Sequence, residues 1–173
     1  TSMTVYRNIN GDTNCLLHNN ITSVVEDKNG MLWVATISGL NRLDLRTDSI
    51  LSYDKLSFPY SGTLSNIRIN DLAIDKNDRL WVATNIGLFV YNSDNNCFSI
   101  IYPERENERK YIETVISDSR GNIVFGTMHD GLFIYDTQKQ FVSQYKKDET
   151  KSSLTDNHIY TIYEDKQGIL WAG

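Results

Sequence analysis

Proline, cysteine and histidine are nearly absent from this chain, with 2, 2 and 3 copies in 173 residues. So few cysteines exclude a disulfide-stapled scaffold, and Cys15 and Cys97 show neither CxxC spacing nor a paired histidine that would suggest zinc or redox chemistry. Both read as packing residues, and two cysteines do not fix the redox compartment. No apolar run approaches the roughly 20 residues needed to span a bilayer, and no signal peptide opens the chain. Either would belong to another part of a parent protein. Charge of one sign is lacking too: 17 basic against 22 acidic residues give a net charge of -5 with no long run of either kind. That argues against a grip on nucleic-acid phosphates, and no nucleic-acid contact is expected. What remains, 40% apolar and 23% charged, is ordinary globular composition.

The chain's main feature is self-similarity. Residues 21–44 read ITSVVEDKNGMLWVATISGLNRLD, and residues 69–92 read INDLAIDKNDRLWVATNIGLFVYN. A third copy, IETVISDSRGNIVFGTMHDGLFIYD, covers 112–136, and a fourth begins at Ile159 as IYTIYEDKQGILWAG. The successive offsets are 48, 43 and 47 residues.

Each copy divides into short β-branched and aromatic segments separated by turn signals, which predicts strands rather than helices. A first strand ends at Asp27, Asp75, Asp118 or Asp165. The turns DKNG, DKND, DSRG and DKQG then close hairpins, where Gly30, Gly121 and Gly168 supply the positive φ that a tight turn demands. Asp78 stands in for glycine in the second copy, a mild departure because aspartate tolerates the left-handed region. A second strand (LWVAT, LWVAT, IVFGT, LWAG), a third (GLNRLD, GLFVYN, GLFIYD) and a fourth ending at Tyr53, Tyr102 or Tyr145 complete the unit. Such a sheet is apolar on both faces and must be sandwiched between copies of itself, which radial stacking achieves. The predicted fold is all-β, a β-propeller fragment of four-stranded antiparallel blades with about three to four blades present. The blades are placed at 21–53, 69–102 and 112–145, with the first two strands of a further blade at 159–173. Residues 1–20 are assigned to the end of a preceding blade and a connector, with Met3 to Tyr6 as its last strand. Trp33, Trp81 and Trp171 recur at one position and are expected to fill the wedges between blades. Val124 takes that place in the third copy, where Phe125 supplies volume. Exposed sheet edges lead to the expectation that isolated chains pair.

With the repeat written out, it resembles the two-component regulator propeller repeat. Glu26, Asp27, Gly30, Leu32, Trp33, Thr36, Gly39, Leu40 and Asp44 carry the resemblance in the first copy; Gly131, Leu132, Tyr135 and Asp136 carry it in the third. The resemblance implies the periplasmic sensor region of a hybrid two-component system in a polysaccharide-degrading gut bacterium. It further implies oligosaccharide ligands, and a parent with a membrane span, a histidine kinase, a receiver and a DNA-binding region. The parent would dimerise and be held at the inner membrane, with this segment in the periplasm.

Candidate binding residues follow from propeller geometry. Loops joining the fourth strand to the next first strand, and the second to the third, gather on one face around the channel, and variable loops on a rigid scaffold are where ligands bind. The first long loop holds Phe58, Pro59 and Tyr60: exposed aromatics suit the apolar face of a sugar ring, although aromatics in such a loop more often plug a gap between blades. The residues just before each first strand, Asn20, Arg68, Tyr111 and His158, offer different hydrogen-bonding groups that could converge on one ligand or be solvated strand ends. Met128, His129 and Asp130 make a turn one residue longer than Ile37-Ser38 or Asn85-Ile86. His129 and Asp130 join the ligand-binding candidates; as a metal site or general base the adjacent pair has little behind it, since such a pair on a turn is far more often plain surface, and no metal site or catalytic residue is expected. No catalytic, calcium-loop or phosphate-loop motif is present, and no cofactor is expected. Three readings follow: a ligand-sensing module, a protein-interaction or dimerisation scaffold without a small ligand, and a propeller lyase or hydrolase. The third has little behind it, since catalysis would need convergent carboxylates or histidines around the channel.

Overall fold

The computed structural model describes residues 3–53, 67–103, 108–150 and 153–173. Fourteen strands follow one another: β1 (Ile21–Glu26), β2 (Met31–Thr36), β3 (Gly39–Asp44), β4 (Ser49–Tyr53), β5 (Ile69–Ile74), β6 (Leu80–Thr84), β7 (Leu88–Asn92), β8 (Cys97–Tyr102), β9 (Ile112–Ser117), β10 (Ile123–Thr127), β11 (Leu132–Asp136), β12 (Phe141–Tyr145), β13 (Ile162–Glu164) and β14 (Leu170–Ala172). They form three four-stranded antiparallel sheets in sequential order and one two-stranded sheet, β13–β14. This is an all-β propeller fragment. Met3 to Tyr6, expected as a strand, is irregular backbone. Tyr6 instead packs as a loop side chain beside Leu16, Val34 and Leu43, so apolar contact holds the segment without a ladder of backbone hydrogen bonds.

Strand periodicity sets the packing. On β6, Leu80 and Val82 face the first sheet, in a cluster with Trp33, Leu40 and Tyr53, while Trp81 and Ala83 face the third, with Ile112, Phe125 and Phe133. Alternate side chains thus load both faces of one blade. Trp33 and Trp81 are 3% and 1% exposed and fill the wedges, as their recurrence predicts. In the third blade Val124 packs on Ile159 and Ile162, whereas Phe125 turns to the other face and stacks on Phe133 at 5.1 Å. The aromatic volume therefore shifts to the preceding wedge. Fully burying such side chains contributes about 1.5–3 kcal/mol each.

A repeated polar unit anchors each hairpin. Asp27 Oδ1 accepts the backbone N–H groups of Asn29 and Met31, and Oδ2 accepts the Trp33 indole N–H at 3.1 Å. Asp75 repeats this with Asn77, Arg79 and Trp81, and Asp165 with Gln167, Ile169 and Trp171. In the third blade, which has no tryptophan here, Asn122 Nδ2 donates to Asp118 Oδ2 instead. The turns adopt the expected backbone, with φ of 75° at Gly30, 88° at Gly121, 77° at Gly168 and 62° at Asp78. At the opposite end of each blade a buried threonine closes the second turn: Thr36, Thr84 and Thr127 donate Oγ1–H to the carbonyls of Gly39, Gly87 and Gly131.

Candidate functional site

The face carrying the Thr36, Thr84 and Thr127 turns gathers most of the sequence-predicted residues. Three of the four residues before a first strand are tied by their backbone to that turn: Asn20, Arg68 and Tyr111 carbonyls accept from Ile37, Asn85 and Met128 N–H at 3.3, 3.1 and 3.1 Å. His158 follows a different pattern, because Ile159 N–H donates to Thr127 of the preceding blade.

The interlock between blades comes from strand bulges, which the strand pattern alone does not place. The register of β1, β5 and β9 slips between Ile21 and Ser23, between Ile69 and Asp71, and opposite Thr127, leaving Thr22, Asn70 and Glu113 as extra residues. A bulge re-aims its side chain, and here each reaches the next blade. Thr22 Oγ1 donates to the Ile69 carbonyl at 2.9 Å, Asn70 Nδ2 donates to the Ile112 carbonyl at 2.7 Å, and Glu113 Oε1 lies 3.4 Å from His158 Nε2. Tyr111 Oη donates to Asn70 Oδ1 at 3.5 Å. The His158 ring stacks on Tyr160 with centroids 3.7 Å apart. The hint was polar side chains at one position of otherwise apolar strands.

Between the second and third blades, this face opens into a cavity of about 320 Å³ lined by Asn85, Arg109, Lys110, Tyr111, His129 and Asp130, with Met128 beside them. It brings Tyr111, His129 and Asp130 together. Arg68 stands next to it, its N–H donating to Asn85 Oδ1 at 3.0 Å. Asn20 and His158 lie in neighbouring blades and do not line it. Tyr60, with Phe58 and Pro59, falls outside the described residues.

The longer turn positions Asp130, whose N–H donates to Thr127 Oγ1 at 2.8 Å. Its carboxylate takes Lys110 Nζ at 2.9 Å and Lys146 Nζ at 3.2 Å. The hydrogen bond from Lys110 holds the Asp130 carboxyl below the ordinary carboxylate range, against an opposing push from burial, and Lys146 adds to the effect. The same bond raises the Lys110 ammonium. Asp130 is therefore a fixed anionic clamp between two loops. Among the described residues no group of three or more His, Cys, Asp or Glu side chains is placed to hold a metal ion. The arrangement offers hydrogen-bond donors, an aromatic ring and cationic side chains in a concave, rigidly backed opening.

A family model described as the two component regulator propeller matches residues 15–38, 63–85 and 153–173, the first, second and fourth copies of the repeat. These three stretches of the chain are two component regulator propeller repeats. Solved structures carrying similar blades include an extracellular domain described as part of a hybrid two component system of B. thetaiotaomicron, at 24% identity and a TM-score of 0.78, covering 93% of this chain and 21% of that one. A second such domain from B. thetaiotaomicron matches at 17% identity and a TM-score of 0.55, covering 98% of this chain and 27% of that one. Virginiamycin B lyase from Staphylococcus aureus matches at 12% identity and a TM-score of 0.64, covering 88% of this chain and 48% of that one. At these identities the likeness concerns the fold, which sensors and a lyase share. The propeller repeats here span about a fifth of the first of those chains. No curated protein matches the chain.

Proposed function

We propose that this chain is part of the periplasmic recognition propeller of a hybrid two-component regulator of polysaccharide utilisation, and that it binds an oligosaccharide on the face bearing the cavity between the second and third blades. The observation that carries this reading is the convergence of Tyr111, Asn85, Arg109, Lys110 and His129 on that opening. A half-buried aromatic ring beside several hydrogen-bonding groups suits a sugar's apolar face and polar rim. The repeat family supplies the setting, and the extracellular description of two similar structures supports a location outside the inner membrane. The role is binding rather than turnover, because the carboxylate beside His129 is held by two lysines and is not poised as a base. Signalling then requires a ligand that distinguishes two arrangements of the parent's domains or dimer.

The reading is tested by exposing the labelled chain to an array of plant and host oligosaccharides. Retention on one glycan class by the wild type, lost in Tyr111→Ala and Arg68→Ala, is the expected result. Retention on none, together with recovery of a protein partner by the parent's extracellular region, would favour the scaffold reading.

A further inference from the structure

The opposite face holds a second cavity. It measures about 260 Å³, lies between the Asp27 and Asp75 hairpins of the first two blades, and is lined by Arg42, Trp33, Lys28, Asn77, Tyr91 and Ser93, among others. Arg42 breaks the pattern of the blades. It is paired across the sheet with Trp33, in the place that Val90 holds opposite Trp81 and Ile134 holds opposite Val124. A cation has thus replaced an aliphatic side chain in an interblade wedge. Its guanidinium lies over the Trp33 ring, 5.1 Å from the centroid, and its Nε is buried without a hydrogen-bond partner.

The neighbouring carboxylate does not satisfy it. Asp27 spends Oδ1 on two backbone N–H groups and Oδ2 on the Trp33 indole, so Arg42 approaches Oδ2 only to 3.6 Å, an ion-pair distance and not a hydrogen bond. The other anions nearby are also taken: Asp78 by the Lys28 N–H and ammonium, and Asp75 by Arg79. Nε itself is enclosed, beside Tyr53; the half-buried Arg42 side chain nonetheless lines the cavity together with Lys28 and Asn77, and a guanidinium there matches the planar, two-oxygen geometry of a carboxylate. The geometry points to a second binding site, centred on Arg42, for a small carboxylate, either a simple organic acid or the acid group of a sugar acid.

The test is thermal unfolding of the chain at constant ionic strength with acetate, glucuronate, glucose or added chloride. A saturable rise in Tm with a carboxylate, with none from glucose or chloride, is the expected result for the wild type. Arg42→Val installs the second blade's residue and should abolish the rise, while Tyr111→Ala on the opposite face should keep it. Acetate acting alone would assign a bare organic acid; glucuronate acting where acetate does not would assign a sugar acid. A measurement that does not depend on the variant is the indole N–H resonance of Trp33, which should shift on titration while that of Trp81 stays in place. An equal rise in wild type and Arg42→Val, or no rise and no Trp33 shift with either carboxylate, overturns the proposal. Failure here leaves the oligosaccharide reading standing, since that site lies on the other face.

Discussion

At the scale of single residues, the aspartate closing each first hairpin carries more than its turn. Asp75 is 6% exposed and accepts from two backbone N–H groups, the Trp81 indole and the Arg79 guanidinium. Burial pushes its carboxyl upward, but the Trp81 and Arg79 bonds together outweigh that and hold it below the ordinary carboxylate range. A depressed folded-state pKa contributes stability that is present above the unfolded value, near 4, and is lost as pH falls through the folded value. Asp75→Asn should therefore destabilise the chain at neutral pH by about 1–3 kcal/mol. The gap from wild type in urea unfolding should close on acidification from pH near 7 to about 3; a gap that widened would contradict this account. The turn role of these aspartates was readable in the sequence because DKNG, DKND, DSRG and DKQG recur with glycine or aspartate at the left-handed position. Their link to tryptophan was not, because an indole six residues on meets the carboxylate only once the hairpin has formed.

Among the elements, the strands were legible and their irregularities were not. Period-two alternation and turn residues placed all three complete blades, yet Met3 to Tyr6 shares the apolar look of a strand and makes no ladder. The bulges at Thr22, Asn70 and Glu113 arise from how one blade's first strand meets the next, a relation between segments over 40 residues apart. Interblade spacing leads to a second prediction. A Cβ added to Gly126 would meet the side chain of Ile159 at 2.7 Å and its carbonyl oxygen at 2.8 Å, whereas Ala35 and Ala83 occupy the same place in the first two blades. Gly126→Ala should lower stability by about 1–3 kcal/mol through overpacking, measured by thermal or urea unfolding. No change would mean that the β13–β14 hairpin docks more loosely than described.

At the scale of the whole molecule, the β13–β14 hairpin leaves aromatic side chains uncovered among the described residues. Trp171 is 61% exposed and Tyr163 62%, while Trp33 and Trp81 are buried at equivalent positions. Acrylamide should quench a fraction of the fluorescence that Trp171→Phe removes. Pairing of chains through this hairpin, which an exposed apolar patch invites, would shrink that fraction as concentration rises and raise the mass seen by light scattering. A strictly monomeric species at all concentrations would exclude pairing. The rim of the cavity was partly legible: Tyr111, His129 and Asp130 followed from loop placement, whereas Asn85, Arg109 and Lys110 came together only through folding.

The cavity between the second and third blades is proposed as the ligand site of a sensing propeller. Calorimetric titration of the extracellular region containing this chain, against purified plant and host oligosaccharides, tests it most directly. The account predicts saturable heat with one glycan class, and affinity at least about tenfold weaker, roughly 1.4 kcal/mol, in Tyr111→Ala and Arg68→Ala. Saturable binding that both variants leave untouched, or no binding across a broad panel, would contradict it.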